Sequence, residues 1–434
     1  MSEAAGGVRP MSTPGLHHRG TSLWDRFWRP FWALPATLII GSALLGLLLP
    51  SLDTGDVPLV FSGGPDSART VLSSIVGGLI SLTGLVFSIT MVVLQLASSQ
   101  FTPRILRQFL AARVVQATLG IFTGTFVYAL VVLRTVRSSS DGGRETFVPQ
   151  VSVTVAMLFV LTSVGLFLAF IAHITRSAQV SQVITDLTRR TREVVLAFDE
   201  ATDAPPRAAW QPPEGARAHR LVNDERQGYV VAVHADDLVA RARELDVVVT
   251  LDLAIGQFVA PGATLGSVWG LADGADDDRD QADALRALVL LEDDRLLEND
   301  PMFGLRQLVD IAEKALSPGI NDPTTAVQVV DAVESVLRAA GSQADPAAVL
   351  VDADDTPRMT YRPWSFERML TLATEEILHY GDSSPRVQRS LHGLLSAIEP
   401  DVRPEHAERV RGWLDQLERD NDAEDIDEDK DADA

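Results

Sequence analysis

Between Ser74 and Gln95 the chain sets Ser74, Gly77, Ser81, Gly84, Ser88, Met91 and Gln95 at alternating three- and four-residue steps. On a helix these positions form one stripe, and its residue types suit two kinds of chemistry. Hydroxyls and a carboxamide can replace part of the hydration shell of a permeating solute, so the stripe could form a wet wall. Alternatively, the small pairs Gly77–Ser81 and Gly84–Ser88 let a second helix approach closely, with hydroxyls bonding across the contact. Packing is the commoner use of such a stripe, and in a symmetric oligomer one face can serve both. Val76, Leu79, Ile80, Val86, Phe87, Ile89, Val93 and Leu94 occupy the other faces, where they suit lipid or apolar neighbours.

Little else in the chain resembles a reaction centre. There is no cysteine, which removes disulfides, thiolate metal sites and thiol nucleophiles. The glycine loops of nucleotide-binding folds, the G-x-S-x-G elbow and the H-E-x-x-H zinc helix are all missing from the sequence. The eight histidines are scattered, and carboxylate pairs such as Glu375–Glu376 read as solvated helix faces. The acidic run from Asp273 to Asp280 lacks the spacing and terminal Glu of an EF-hand. We therefore expect no enzyme, no cofactor and no metal.

The elements that would carry the stripe are apolar and long. From Val71 about 28 residues pass without a charge, enough to cross a ~30 Å hydrocarbon core at 1.5 Å per residue. Three further spans are predicted at Phe27–Pro50, about Val114–Val136, and Pro149 to about His173. The first is flanked by Trp24, Trp28, Trp32, Arg26 and Arg29, the interfacial anchors of a membrane helix, with a kink or shortening expected near Pro35. The third contains Gly120-x-x-x-Gly124, a helix-contact signature. No Asp, Glu, Lys or Arg falls in the middle of a span, so no proton relay or voltage sensor is indicated. Segments on the N-terminal side of the membrane hold eleven arginines and the opposite loops four, which predicts both termini in the cytoplasm.

Charge divides the chain in the same place. Net charge is −22, but residues 1–199 hold 15 Lys+Arg against 10 Asp+Glu, and the remainder holds 22 against 49. So acidic a second half repels phosphate backbones, and no nucleic-acid partner is expected. After the fourth span the helical pattern runs on without a breaker to Glu200, predicting a stalk, and Pro205, Pro206, Pro212 and Pro213 mark a linker. Gly228–Gly270 reads as strands around a short helix. Its Gly256, Val259, Gly262, Leu265 spacing is similar to the hammerhead of biotinyl and lipoyl domains, but no lysine is present to carry a prosthetic group.

Beyond it, Asp300-Pro301 and Asp322-Pro323 each read as an N-cap followed by proline in the first turn. Asn321, Asp322, Pro323 and Thr324 are candidates for a cation or partner contact, with helix initiation as their more immediate role. Further helices are predicted to start near Ser365, Ser384 and Arg403.

The stretches LVFSITMVVLQLASSQFTPRILRQF, LGIFTGTFVYALVVLR, IAHITRSAQVS and NDPMFGLRQLVDIAEKALSPGINDPTTAVQ resemble a bacterial family of predicted membrane proteins, domain of unknown function 2254. The resemblance spans nearly the whole chain and implies a plasma-membrane protein with a cytosolic C-terminal region and no assigned reaction.

The expected architecture is a mainly α membrane protein, four transmembrane helices followed by a cytosolic α+β region. Its divisions are a disordered tail over 1–26, a four-helix transmembrane domain over 27–178 and a stalk over 179–200. A small β-rich domain over 215–272, a mainly helical domain over 282–418 and an acidic disordered tail over 419–434 complete it. The expected function is that of an oligomeric, channel-like or transport-related protein of the bacterial plasma (inner) membrane. Its partners are the lipid bilayer and other copies of itself. The alternative is a membrane-anchored sensor or scaffold that docks a cytosolic protein.

Overall fold

A computed structural model describes residues 31–52, 61–100, 113–137, 146–177, 179–199, 210–223, 226–271 and 277–432. The N-terminal tail, the arginine-bearing turn at 101–112, Pro205 and Pro206 of the linker, and residues 273–276 of the acidic run lie outside them. The chain forms two compact units, Gly20–Gln182 and Val183–Ala434.

In the first unit four helices are long and apolar enough to cross a membrane: α1 (Ala33–Leu52), α2 (Pro65–Gln100), α3 (Arg113–Leu133) and α4 (Gln150–Ser177). Pro35 sits in the first turn of α1, where a missing N–H costs nothing, so it starts the helix and does not kink it. α3 packs against α1, α2 and α4. One apolar cluster joins Leu72, Ile75 and Leu79 of α2 to Tyr128 and Val132 of α3 and Val153 of α4; a second joins Val86, Val115, Phe122 and Phe170. Ile40, Leu44, Leu47 and Leu48 of α1, with Leu158, Leu161 and Leu168 of α4, are exposed on the outside of the bundle.

The expected continuous stalk divides in two. α4 ends at Ser177 and α5 (Val180–Asp199) starts after Gln179. Nor is α5 free-standing: Ile184, Leu187, Thr191, Val195 and Phe198 recur at helical spacing and are all buried. Thr191 meets Gly304, and the Phe198 ring stands edge-on to Trp364, with centroids 5.6 Å apart.

The strands of the C-terminal unit are β1 (Ala218–Val222), β2 (Gly228–Val233), β3 (Val248–Ala254), β4 (Phe258–Val259), β5 (Thr264–Trp269), β6 (Val289–Glu292), β7 (Val349–Val351) and β8 (Pro357–Arg362). Its helices are α6 (Ala235–Glu244), α7 (Asp277–Arg286), α8 (Pro301–Leu316), α9 (Pro323–Gly341), α10 (Phe366–Gly381), α11 (Pro385–Ile398) and α12 (Pro404–Ala432). The strands form two sheets, β1-β5-β3-β8-β7 and β4-β2-β6, in which only the β3–β8 pair is parallel.

This topology cuts across the expected boundary between a β-rich domain at 215–272 and a helical one at 282–418. β6 pairs with β2, and β7 and β8 complete the sheet begun by β1, β3 and β5. Val249, Leu265, Val268, Met359 and Tyr361 share one core in consequence. Asp277–Asp280, read as loop, begins α7. The acidic end also departs from the expected tail: α12 keeps helical backbone to Ala432, because extending a formed helix avoids the cost of nucleating one.

Candidate functional site

α2 starts at Pro65 with Asp66 in its first turn, where a carboxylate favours the free N–H groups. The helix then turns its apolar side inward. Leu72, Ile75, Leu79 and Val86 are buried, whereas Ser74, Gly77, Ser81, Gly84, Ser88, Met91 and Gln95 are all exposed. A Cβ built on Gly77, Gly78 or Gly84 would meet no atom within 4 Å. The stripe is therefore not a seam inside this bundle. Leu79, expected toward lipid, is only 5% exposed and packs in the bundle core. The reason is that in an apolar solvent a leucine gains little by leaving it, so shape complementarity with Tyr128 and Val132 decides which face turns inward. Ile80, Leu85, Phe87 and Val92 flank the stripe on the exposed side. Ser81 Oγ donates to the Gly77 carbonyl at 3.2 Å, which partly satisfies the hydroxyl within its own helix.

Close helix contact occurs instead at Gly120 and Gly124. A Cβ at Gly120 would lie 2.6 Å from Leu38 Cδ1 and 3.0 Å from Pro35 Cα, and one at Gly124 would lie 2.6 Å from Ser42 Oγ. Both glycines thus admit α1 to near backbone contact. Two polar contacts cross between helices of the bundle: Tyr128 Oη donates to the Ser152 carbonyl at 3.0 Å, and Thr125 Oγ1 lies 3.5 Å from Ser163 Oγ.

In the C-terminal unit, Asn321 takes left-handed backbone (φ 49°) and delivers Asp322 to the start of α9. Asp322 Oδ1 accepts from the N–H groups of Thr324 and Thr325, both at 3.1 Å, and Oδ2 accepts from Thr325 Oγ1 at 2.6 Å. The Thr325 hydroxyl and amide hold the Asp322 carboxyl below the usual aspartate range. Arg386 donates to Thr324 Oγ1 at 3.1 Å, linking α11 to this turn. Asp322 is thereby committed to capping, Pro323 supplies the first helical residue, and Asn321 and Thr324 remain exposed beside them. Asp300 caps α8 in the same way, accepting from Phe303 N at 3.0 Å.

A second polar centre goes beyond what spacing along the chain suggests. Arg306 bonds Asp310 at 2.7 Å, Glu313 at 3.0 Å and Glu376, so one guanidinium faces three carboxylates. Burial, and then the hydrogen-bonded neighbour Glu376, push Glu313 up to about 7. Glu376 is held below the usual range against its own burial, by hydrogen bonds from Glu313 and Arg306. Burial thus favours the protonated form of Glu313, while Glu376 beside it is favoured as the carboxylate. The i, i+4, i+7 run Arg306, Asp310, Glu313 is visible on one helix face, but Glu376 arrives from α10 only through the fold. Among the described residues no three His, Asp or Glu side chains are grouped to hold a metal ion.

Comparison with known proteins supplies the remaining evidence. The family model for predicted membrane proteins designated DUF2254 matches residues 28–397. An uncharacterized protein of Mycobacterium bovis and one of Mycobacterium tuberculosis are each 34% identical to the chain over 398 residues, covering 89% of this chain and 75% of each relative. No solved structure matches it. With four helices fit to span a bilayer and a match across most of its length, the chain belongs to the DUF2254 family of predicted membrane proteins.

Proposed function

We propose that the protein is a homo-oligomeric, channel-like protein of the plasma membrane, in which copies of α2 meet around a common axis and line a wet path with the Ser74-to-Gln95 stripe. The observation that carries this reading is the orientation of α2. It buries Leu72, Ile75, Leu79 and Val86, and presents Ser74, Gly77, Ser81, Gly84, Ser88 and Gln95 outward. Toward lipid such a face has no partner beyond the carbonyls of its own helix, and a Gln side chain at membrane depth is costly without one. Against other copies, the glycines permit close approach and the hydroxyls reach across the contact or meet water. The arginine bias supports a cytoplasmic C-terminal unit, whose acidity would concentrate cations near the inner mouth.

The test uses single cysteines at Ser81, Ser88 and Gln95, clean because the native chain has none. A membrane-impermeant thiol reagent should modify them in the reconstituted protein, and Ser88→Asp should fold with altered cation conductance in planar bilayers. If the face meets no water, the added charge carries the ~2.5–3.5 kcal/mol penalty of a mid-membrane carboxylate. Unreactive cysteines, loss of Ser88→Asp protein and a silent wild type under voltage, tension and pH steps would reject the channel. Ser88→Ala separates loss of the hydroxyl from arrival of the charge.

A further inference from the structure

The C-terminal unit encloses a cavity of about 320 Å³, within the size range of small-molecule sites. Its walls come from the turn after β3, the first residues of α8, the end of β8 with Pro363 and Trp364, and Phe198 at the end of α5. Gly256 is what lets that turn close the cavity. It has φ +83°, and a Cβ there would collide with Asp300 Oδ2 and approach Arg295 Nε to 2.7 Å.

The charge of the lining is opposite to that of the protein. Four arginines line it, Arg295, Arg306, Arg362 and Arg368, against a single carboxylate, Asp300. Two of the four are spoken for. Arg295 holds Asp300 at 2.7 Å, and Arg306 is saturated by Asp310, Glu313 and Glu376. Arg362 and Arg368 form no ion pair among the described residues. Arg368 donates to the Pro363 carbonyl at 3.3 Å and acts on Asp300 only through space, while Arg295 holds that carboxylate. In a chain of net charge −22, two exposed guanidinia without carboxylates of their own thus stand together at one cavity. Phe198 and Trp364 line it too, their rings edge-on to one another at 86°. Trp364 is 7% exposed, and its indole N–H finds no acceptor among the described residues, a cost usually met by a partner.

We propose that this cavity binds a phosphorylated small molecule of mononucleotide size, its phosphate held by Arg362 and Arg368 and its planar body set against Phe198 and Trp364. A phosphate dianion matches two uncompensated guanidinia in charge and offers the oxygens their forked donors require. A single carboxylate would leave one of them unbalanced. The site stands independently of the membrane helices and of any channel.

The experiment is calorimetric titration of the full-length protein in detergent with the four ribonucleoside 5′-monophosphates, the matching nucleosides and inorganic phosphate. At least one monophosphate should bind once per chain, at least tenfold more tightly than its nucleoside or than phosphate alone. The double variant Arg362→Gln/Arg368→Gln should weaken that binding at least tenfold and leave the ligand-free melting temperature unchanged, since both side chains are exposed. Binding by none of the four, affinity equal to that of the nucleoside or of inorganic phosphate, or affinity indifferent to the double variant would each overturn the proposal.

Discussion

Two substitutions on α2 should separate the fold of the subunit from its assembly. Leu79 is 5% exposed, in the cluster with Tyr128 and Val132, so Leu79→Ala opens a cavity in the bundle. In water-soluble cores such a change costs about 2.7–5.0 kcal/mol. Roughly 2.4 kcal/mol of that is transfer of three carbons from water, at ~0.8 each. Within a bilayer that part falls away, because lipid tails are as apolar as leucine. What remains is lost packing, about 0.3–2.6 kcal/mol. A Cβ at Gly84 meets no atom within 4 Å in its own subunit, so Gly84→Leu should leave the fold within ~0.5 kcal/mol of wild type. In the proposed oligomer, where α2 helices of neighbouring copies meet, it would force backbones apart at ~1–3 kcal/mol per interface, or about 5- to 150-fold in association. Thermal unfolding in detergent, with native mass spectrometry across a concentration series, reads both quantities. Leu79→Ala should unfold earlier at unchanged mass, and Gly84→Leu should dissociate without unfolding earlier. A Gly84→Leu protein with the wild-type mass distribution at every concentration would refute the reasoning, as would a Leu79→Ala protein as stable as wild type.

Three further outcomes are expected. Glu313 has its folded pKa raised from the ordinary 4.5 to about 7, so the unfolded chain loses this proton first; the stability linked to it is full below about 4.5 and falls as pH rises through 7. Glu313→Gln should flatten that decline, by on the order of 1–2 kcal/mol after allowance for the Arg306 counter-charge and solvent; parallel wild-type and variant unfolding curves from pH 4.5 to 8 would contradict it. Gly304→Ala should lower the melting temperature, because its methyl collides with Thr191 of α5 and overpacking costs ~1–3 kcal/mol; a gain of ~0.5–1 kcal/mol, as helix propensity alone predicts, would mean that α5 does not pack there. Asp322→Ala, which strips α9 of three hydrogen bonds, should cost about 0.5–2 kcal/mol, and an unchanged denaturation midpoint would show the cap to be dispensable.

Features set by neighbours along the chain are legible in the amino-acid sequence. Four long apolar runs predict four helices able to span a bilayer, because hydrocarbon thickness fixes the length and desolvation excludes charge. The starts of α8, α9 and α10 follow from Asp300-Pro301, Asp322-Pro323 and Ser365, since a cap acts over three residues, and that of α11 from Pro385 in its first turn, as Ser384 makes no side-chain cap bond. Features set by contact across the fold are not. Apolar side chains meet apolar surroundings on either side of a membrane helix, so hydrophobicity does not say whether Leu79 or Gly84 faces inward; packing against α3 and α4 decides it. β3 finds its parallel partner β8 about a hundred residues downstream, where the short runs at 349–362 carry no periodic signal of their own. The Arg306–Glu376 contact and the cavity between Phe198, Gly256 and Arg368 likewise exist only once α5, α8 and α10 have packed. Local sequence determines which segments are helices and where they begin; tertiary packing alone decides which faces they hide, because burial depends on partners that sequence spacing does not name.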